Sequence, residues 1–220
     1  MASGDTAGAL IRVRRTGTVL TGYVRRLLTP PLPGDGLLLV GLLEGVIGWG
    51  GAGMLLRNPG LAPLGLVTSI VLLWVALTAG IVVVGVVYTA PTVRRRRVWL
   101  VWAALNVAAT AVNALAVVRV GPTWLGAYGF YHPWLAVLGL GYLSTASINA
   151  GSPQLRGHER VAYAVGGVAA LLTLAVAVSS PPVVLARAFL VGGVLHVGPL
   201  AYDVFADVAL IVRRTAAKQG

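Results

Sequence analysis

Long apolar runs constrain the fold of this chain more than any other feature of its sequence. A transmembrane helix needs roughly 20 predominantly apolar residues to cross the hydrocarbon core of a bilayer. Pro, Gly and charged residues separate the runs, as expected where helices stop and restart. The six predicted helices cover residues 37–56, 65–89, 98–119, 133–150, 161–179 and 183–212. The sequence therefore predicts an all-α fold: a polytopic integral membrane bundle of six transmembrane helices.

The composition excludes an ordinary soluble domain. Hydrophobic residues make up 57% of the chain and charged residues only 10%, whereas a soluble domain carries about 25% charged residues. The mean hydropathy is +0.86. Because the chain contains no cysteine, disulfides, thiolate metal sites and cysteine nucleophiles are excluded as well.

The distribution of basic residues predicts the orientation of the bundle. The net charge is +11, and the basic residues cluster in alternate loops and at both termini. This group consists of Arg12, Arg14, Arg15, Arg25, Arg26, Arg94, Arg95, Arg96, Arg97, Arg156, Arg160, Arg213, Arg214 and Lys218. The other side of the predicted membrane has only Arg57, Arg119 and Arg187. By the positive-inside rule, both termini are expected to be cytoplasmic.

This arrangement divides the chain into three segments. Residues 1–36 are predicted to form a basic cytoplasmic or interfacial segment, residues 37–212 the transmembrane domain, and residues 213–220 a short basic tail. Within the first segment, residues 9–28 are either a helix on the membrane surface or a disordered arm. The strong preference for Arg over Lys is typical of GC-rich prokaryotic genomes, so we expect a multi-pass protein of a prokaryotic cytoplasmic membrane.

The expected partners follow from the charge pattern. The bilayer itself is the first, and anionic lipid headgroups are expected at Arg94, Arg95, Arg96 and Arg97. Nucleic acid is excluded, because no basic patch is interleaved with aromatic residues. Two further partners are possible: a second copy of this chain in a homo-oligomer, or another protein in a larger membrane complex.

Polar residues within the apolar runs are the candidate site. A carboxylate at membrane depth costs roughly 2.5–3.5 kcal/mol even on insertion scales, so such groups usually face the bundle interior or a cavity. Spacings of seven and eleven residues place His196, Asp203 and Asp207 on one helical face. The candidate ion- or substrate-binding residues are Glu44, Asn106, Asn113, His196, Asp203 and Asp207.

Depth brings several of these residues into one layer. At about 1.5 Å of rise per residue, Glu44, Asn106, Asp203 and Asp207 lie roughly 9–15 Å from the cytoplasmic boundary. This pattern predicts a polar cavity in the cytoplasmic half of the membrane.

A purely structural alternative stays open for each of them. Asp207 could pair with Arg213 or Arg214, and Glu44 with an N-terminal arginine. The asparagines could serve as interhelical contacts worth about 0.6 kcal/mol each, and His196 as a neutral packing residue.

The sequence lacks the motifs of intramembrane enzymes. It contains no HExxH zinc site, no serine elbow and no phosphate-binding loop, and its three histidines lie in separate elements. We therefore predict no catalytic residue, no metal site and no cofactor. A divalent cation site formed by Glu44, Asp203 and Asp207 is the alternative.

Three functions fit these observations. The first is a small proton- or cation-linked transporter or channel, whose carboxylates should lie in a cavity open to one side. The second is a non-catalytic subunit or scaffold of a membrane complex, whose polar stripes should face outward. The third is a membrane-embedded enzyme acting on a lipid, in which His196, Asp203 and Glu44 should lie within hydrogen-bonding reach of one another.

Overall fold

The computed structural model describes residues 17–149, 155–180 and 187–217, which are helical and contain no strand. The helices are α1 (17–28), α2 (Gly34–Arg57), α3 (Leu66–Val83, continued by a π-helical turn, Val84–Tyr88), α4 (Pro91–Arg94), α5 (Arg97–Val117), α6 (Trp124–Tyr128), α7 (His132–Ile148), α8 (Gly157–Ser179) and α9 (Ala188–Ala217). A 3-10 turn, Pro59–Leu61, follows α2. The prediction of an all-α protein is confirmed for these ranges.

Five of the helices are long and apolar enough to cross a membrane: α2, α3 with its π-helical turn, α5, α8 and α9. These are the properties of a multi-pass membrane protein. The fourth predicted run, 133–150, gives the shorter helix α7 of 17 residues, which is about 25 Å long at 1.5 Å per residue. Its length alone does not make it a sixth span.

The helix boundaries differ from the predicted ones where polar residues cap a helix. Helix α8 begins at Gly157 rather than near residue 161. The reason is a capping box, in which the Arg156 backbone N–H donates to the Glu159 carboxylate at 2.7 Å. Hydropathy does not register such a cap, because both of its residues are charged.

The last helix is continuous from Ala188 to Ala217, with Pro199 inside it. A single helix therefore accounts for the described part of the predicted run 183–212. The Pro199 ring packs against Gly166 on α8, where a Cβ atom would lie only 2.5 Å from the proline Cγ. A glycine on the neighbouring helix thus accommodates the proline ring.

The six long helices form a closed ring in chain order. Each of α2, α3, α5, α7, α8 and α9 contacts the next, and α9 contacts α2. Consecutive helices run in opposite directions, since residues near the end of one lie beside residues near the start of the next. Pairs that show this are Leu32 with Thr89, Gly85 with Trp99, Asn113 with Trp134, His132 with Ala177, Arg156 with Asp207, and Gly53 with Phe189.

The alternation gathers basic side chains at one end of the ring, which we call the basic end. The described residues there are Arg25, Arg26, Arg94, Arg95, Arg96, Arg97, Arg156, Arg160, Arg213 and Arg214. Only Arg57, Arg119 and Arg187 among the described basic residues lie at the opposite end. Helix α1 packs on the basic end through Leu27, which is buried beside Gly36.

The outside of the ring is apolar, and its interior is filled by aromatic rings at the opposite end. Outward side chains such as Phe205 are as much as 70% exposed, as expected of a surface that faces lipid. Inside, Trp74 and Trp134 stack with centroids 4.4 Å apart, and Trp49 lies edge-on to Trp74 at 5.1 Å and to Tyr131 at 5.7 Å. We call these four residues the aromatic layer.

Glycines make room for these rings. A Cβ atom at Gly48 would lie 2.5 Å from the Trp74 ring, and one at Gly192 would lie 2.5 Å from the Trp49 ring. Glycines on α2 and on α9 therefore receive the aromatic side chains of neighbouring helices.

Candidate functional site

A cavity of ≈ 200 Å³ occupies the half of the ring nearer the basic end. It extends from the exposed residues Asp35 and Arg96 at that end to the buried residues Glu44 and His196. Sites for drug-sized ligands measure about 300–1,000 Å³, so this cavity suits an ion, a few waters or a small molecule. Its location matches the predicted polar layer.

The acidic residues of the chain converge on this cavity. Asp35, Glu44, Asp203 and Asp207 line it, and Glu159 contacts it indirectly through Arg156. The chain has six acidic residues. Five of them lie in the described ranges, and all five are in this group. A protein with a net charge of +11 thus encloses a cavity that is rich in carboxylates.

Glu44 lies deepest among these carboxylates. Its side chain is 6% exposed, and one carboxylate oxygen, Oε1, has no hydrogen-bond partner among the described residues. No ion pair is made to Glu44 within those ranges either. A buried polar atom left without a partner costs about 1–3 kcal/mol, so Glu44 carries a hydrogen-bond acceptor that the described residues leave unsatisfied.

Asp203 is equally buried but has a partner. The Tyr163 hydroxyl donates to its Oδ2 atom at 2.6 Å, across the interface of α8 and α9. Asp203 is 6% exposed and also lines the cavity. The second carboxylate of the interior is therefore held in position by a neutral donor and not by a cation.

Asp207 lies near the mouth of the cavity and is bound from two sides. The Arg156 guanidinium donates to it at 2.6 Å, and the Tyr23 hydroxyl of α1 donates to it at 3.3 Å. The predicted alternative of a pair with Arg213 or Arg214 is wrong, because the partner comes from α8 in space and not from the next turn of α9.

Arg156 also pairs with Glu159, which is 1% exposed. The hydrogen bond to Glu159 and the nearby negative charges raise the pKa of the Arg156 guanidinium, which therefore stays charged. Burial, together with the charges of Asp207 and Asp35, raises the pKa of the Tyr23 hydroxyl. One cation and one neutral phenol thus hold the carboxylates at the mouth.

His196 lies at the inner end of the cavity, and its ring is hydrogen-bonded to another side chain of the protein. Its Nδ1 atom accepts a hydrogen bond from the Trp49 indole at 3.2 Å. The ring packs on Gly45, where a Cβ atom would lie 2.8 Å away. Its contacts are those of a residue that joins α9 to α2.

The two asparagines lie in different places. Asn106 lines the cavity, and its amide donates to the Trp102 carbonyl at 2.9 Å. Asn113 lies nearer the opposite end, where it binds the backbone before α7 and accepts a hydrogen bond from Trp134 at 2.8 Å. Of the six predicted site residues, the structure brings Glu44, Asn106, His196, Asp203 and Asp207 together and separates Asn113 from them.

Most hydrogen-bond donors in and around the cavity are used by the protein itself. The Tyr163, Thr145 and Tyr142 hydroxyls donate to Asp203, the Gly141 carbonyl and the His196 carbonyl. Trp49, Trp102 and Trp134 donate their indole N–H groups to His196, Thr145 and Asn113. The interior therefore offers free acceptor capacity at Glu44 but few free donors, which favours a proton or a cation over an anion.

The carboxylates are not arranged as a compact metal site. Across residues 17–149, 155–180 and 187–217, no group of three or more His, Asp or Glu side chains is placed to hold a metal ion. The alternative of a divalent cation held jointly by Glu44, Asp203 and Asp207 is wrong, since these residues lie at successive depths along the cavity.

Sequence reasoning missed several residues of this site. Asp35 and the tryptophans that line the cavity were not predicted to belong to it, although Trp99 and Trp102 share a helical face with Asn106. The pair of Arg156 and Glu159 was also missed, because Arg156 is not one of the Ser, Thr, Asp or Asn residues that usually mark a helix start. The helical face of the tryptophans can be recognised in the sequence. The contact of Arg156 with Asp207 cannot, because it joins residues that are 51 positions apart in the chain.

Comparisons with protein-family models, with curated proteins and with solved structures gave no match to this chain.

Proposed function

We propose that the protein is a small proton- or cation-linked transporter or channel whose ion-binding group is Glu44. The observation that carries this proposal is that Glu44 lines the cavity while its buried Oε1 atom has no hydrogen-bond partner among the described residues. Buried carboxylates in membrane bundles are expensive, and they typically mark proton or ion pathways.

The surroundings of Glu44 support a cationic ligand. Asp203 lies further along the same cavity, and Asp35 and Asp207 lie at its mouth. Four carboxylates and one arginine, Arg96, line the cavity, and an excess of charge of one sign raises the local concentration of ions of the other sign. Cations would therefore be drawn from the basic end toward Glu44, although the loops around the mouth are rich in arginine.

The two other functions agree less well with the geometry. A scaffold should present its polar stripes on the outer surface, but Glu44, Asn106, Asn113, His196 and Asp203 are all buried. A lipid enzyme of the predicted kind needs His196, Asp203 and Glu44 in mutual contact. Instead, His196 is bonded to Trp49 and Asp203 to Tyr163.

For the membrane topology, we propose six crossings with both termini in the cytoplasm of a prokaryotic cell. The position of α7 between α5 and α8 in the closed ring supports a sixth crossing, and the excess of arginine at the basic end supports the orientation. Anionic headgroups would bind the exposed side chains of Arg95 and Arg97. Arg94 is partly used, since it donates to the Val86 carbonyl at 2.5 Å.

The aromatic layer would then act as the closed gate of the opposite half. The cavity ends near Trp49, Trp134 and His196, and the stacked rings of Trp74 and Trp134 fill the ring beyond them. Passage of an ion requires these rings to part, as in alternating access around a central site.

Ion flux in proteoliposomes tests the proposal. Purified protein would be reconstituted, an inside-negative potential imposed, and the uptake of protons or monovalent cations followed with a fluorescent indicator inside the vesicles. We expect uptake with the wild type, little with Glu44→Gln, and wild-type uptake with Arg57→Gln, which removes an exposed charge at the opposite end. Equal uptake by wild type and Glu44→Gln, or none above empty vesicles, would contradict it.

A further inference from the structure

Four of the six tryptophans in the chain line the same cavity as the carboxylates. They are Trp49, Trp99, Trp102 and Trp134. The faces of indole rings attract cations, and aromatic cages are a recurrent means of binding ammonium groups that carry alkyl substituents. Because tryptophan rings and carboxylates line the same cavity, together they indicate which class of cation it could bind.

Three of these tryptophans can offer only their ring surfaces. The indole N–H groups of Trp49, Trp102 and Trp134 donate to His196, Thr145 and Asn113 at 3.2, 2.9 and 2.8 Å. A ligand in the cavity would therefore meet carbon and π surface from these side chains and no hydrogen-bond donor. Such walls suit a cation whose charge is surrounded by methyl or methylene groups.

The carboxylates of the cavity do not form a cluster that could hold a metal ion in the described ranges. Hard inorganic cations such as Ca²⁺ take six to eight oxygen ligands, and no cluster of three or more acidic or histidine side chains is placed for a metal in the described ranges. An organic ammonium ion needs a single counter-ion and apolar walls. Glu44 supplies the first, because its buried Oε1 atom has no partner among the described residues, and the tryptophans supply the second.

We propose that the cavity binds a small organic ammonium ion, with Glu44 as its counter-ion and the indole rings of Trp99 and Trp102 as its walls. This inference rests on the proposed function and narrows its ligand to one chemical class. The cavity volume of ≈ 200 Å³ limits the ligand to a few carbon atoms around the nitrogen, since drug-sized ligands occupy about 300–1,000 Å³.

Titration with tetramethylammonium chloride tests the inference without knowledge of the natural ligand. Wild-type protein in detergent would be titrated at constant ionic strength, with intrinsic tryptophan fluorescence and thermal unfolding as the two readouts. Sodium chloride controls for inorganic cations, and tert-butanol is an uncharged probe of similar shape. We expect a saturable response to tetramethylammonium and none to tert-butanol.

Matched variants locate the binding. Glu44→Gln should abolish the response, Trp102→Phe should keep most of it, and Trp102→Leu should weaken it about tenfold, which corresponds to a cation–π contribution near 1.4 kcal/mol. Trp99→Leu is the second wall variant, since it leaves the hydrogen bond of Trp102 to Thr145 intact. Trp124→Leu, at a side chain that is 57% exposed outside the cavity, should bind like the wild type.

The outcomes separate this inference from the proposed function. Saturable binding of sodium but not of tetramethylammonium, lost in Glu44→Gln, would overturn the ammonium inference and leave the ion-linked function standing. Binding of tetramethylammonium that survives both Glu44→Gln and the two wall variants would overturn the inference as well. If no cation binds and the proteoliposomes take up no ion, both the ammonium inference and the proposed function are wrong.

Discussion

Arg156 at the start of α8 donates to Asp207 on α9 across 2.6 Å and at the same time pairs with Glu159 on its own helix. Glu159 is 1% exposed, whereas the Arg156 side chain is 29% exposed. One guanidinium therefore satisfies a buried carboxylate and fixes a second carboxylate at the cavity mouth, while the backbone N–H of the same residue is capped by Glu159. The stability of the basic end and the geometry of the site depend on the same side chain.

Replacement of Arg156 by Gln should destabilise the protein markedly. It leaves the Glu159 carboxylate buried without its cation, and hydrogen bonds to charged groups contribute about 1.5–3 kcal/mol each. Because Arg156 is partly exposed to solvent, we expect a loss of about 2–3 kcal/mol in total, measured by denaturant unfolding in detergent.

Arg160→Gln is the matched control, since Arg160 lies one turn further along α8 and is exposed. It should change stability by less than about 0.5 kcal/mol. Equal stabilities of the two variants would show that the pairs of Arg156 contribute nothing.

Two glycines of α2 should respond to alanine in opposite directions. At Gly48 a Cβ atom would lie 2.5 Å from the Trp74 ring, which is stacked on Trp134 and has little room to move. Overpacking of this kind costs about 1–3 kcal/mol. At Gly50, nothing lies within 4 Å of the added atom, so the higher helix propensity of alanine should stabilise the protein by up to about 1 kcal/mol.

Thermal unfolding of the two alanine variants beside the wild type makes this comparison. Similar destabilisation by both variants would contradict the prediction, because it would show that the close contact of Gly48 with the Trp74 ring is not the cause of the loss.

The sequence allowed the architecture to be predicted more fully than the site. Apolar runs and arginine clusters depend on local composition, so five of the six predicted spans are helices long and apolar enough to cross a membrane, and the arginine-rich end of the bundle could be predicted as well. The helix starts were less accurate, because the cap formed by Arg156 and Glu159 lies outside any apolar run.

The placement of Glu44, Asn106 and Asp203 along one cavity in the half of the bundle nearer the basic end was predictable, because depth follows from residue number and a fixed rise per residue. The hydrogen-bond partners of the polar side chains could not be predicted. Asp207 bonds to Arg156, which lies 51 residues away in the chain, and Asn113 is turned to the loop before α7. Such contacts depend on which helices are neighbours in the ring, and the sequence pattern does not specify that order.

The Tyr23 hydroxyl should give the stability a specific dependence on alkaline pH. Burial and the nearby charge of Asp207 raise its pKa above the ordinary value of 10.0. A raised pKa in the folded state contributes stability that is fully present below pH 10 and is lost as the pH rises through the folded value. Over that window the unfolded tyrosine loses its proton first, so the wild type should become less stable.

Tyr23→Phe removes this contribution. Its unfolding free energy should fall less steeply than that of the wild type above pH 10. Near neutral pH the variant should lose less than about 1 kcal/mol, because the hydrogen bond to Asp207 is long and partly exposed. Parallel stability curves for the two proteins across the alkaline range would contradict the account of Tyr23.

The central claim, that a carboxylate-lined cavity admits cations as far as Glu44, is tested most directly by thiol chemistry at a cavity wall. The chain has no cysteine, so Ala103→Cys introduces a single thiol beside the cavity. Ala109→Cys, on the same helix but buried in the core, is the unreactive control. Thr92→Cys, exposed among the arginines, gives the reference rates outside the cavity.

The measurement is the rate of modification by the cationic 2-aminoethyl methanethiosulfonate relative to the anionic 2-sulfonatoethyl reagent. Relative to Thr92→Cys, the account predicts at least about a tenfold preference for the cation at Ala103→Cys, reduced when Glu44→Gln is added. Equal rates for the two reagents, or no reaction at Ala103→Cys, would contradict it.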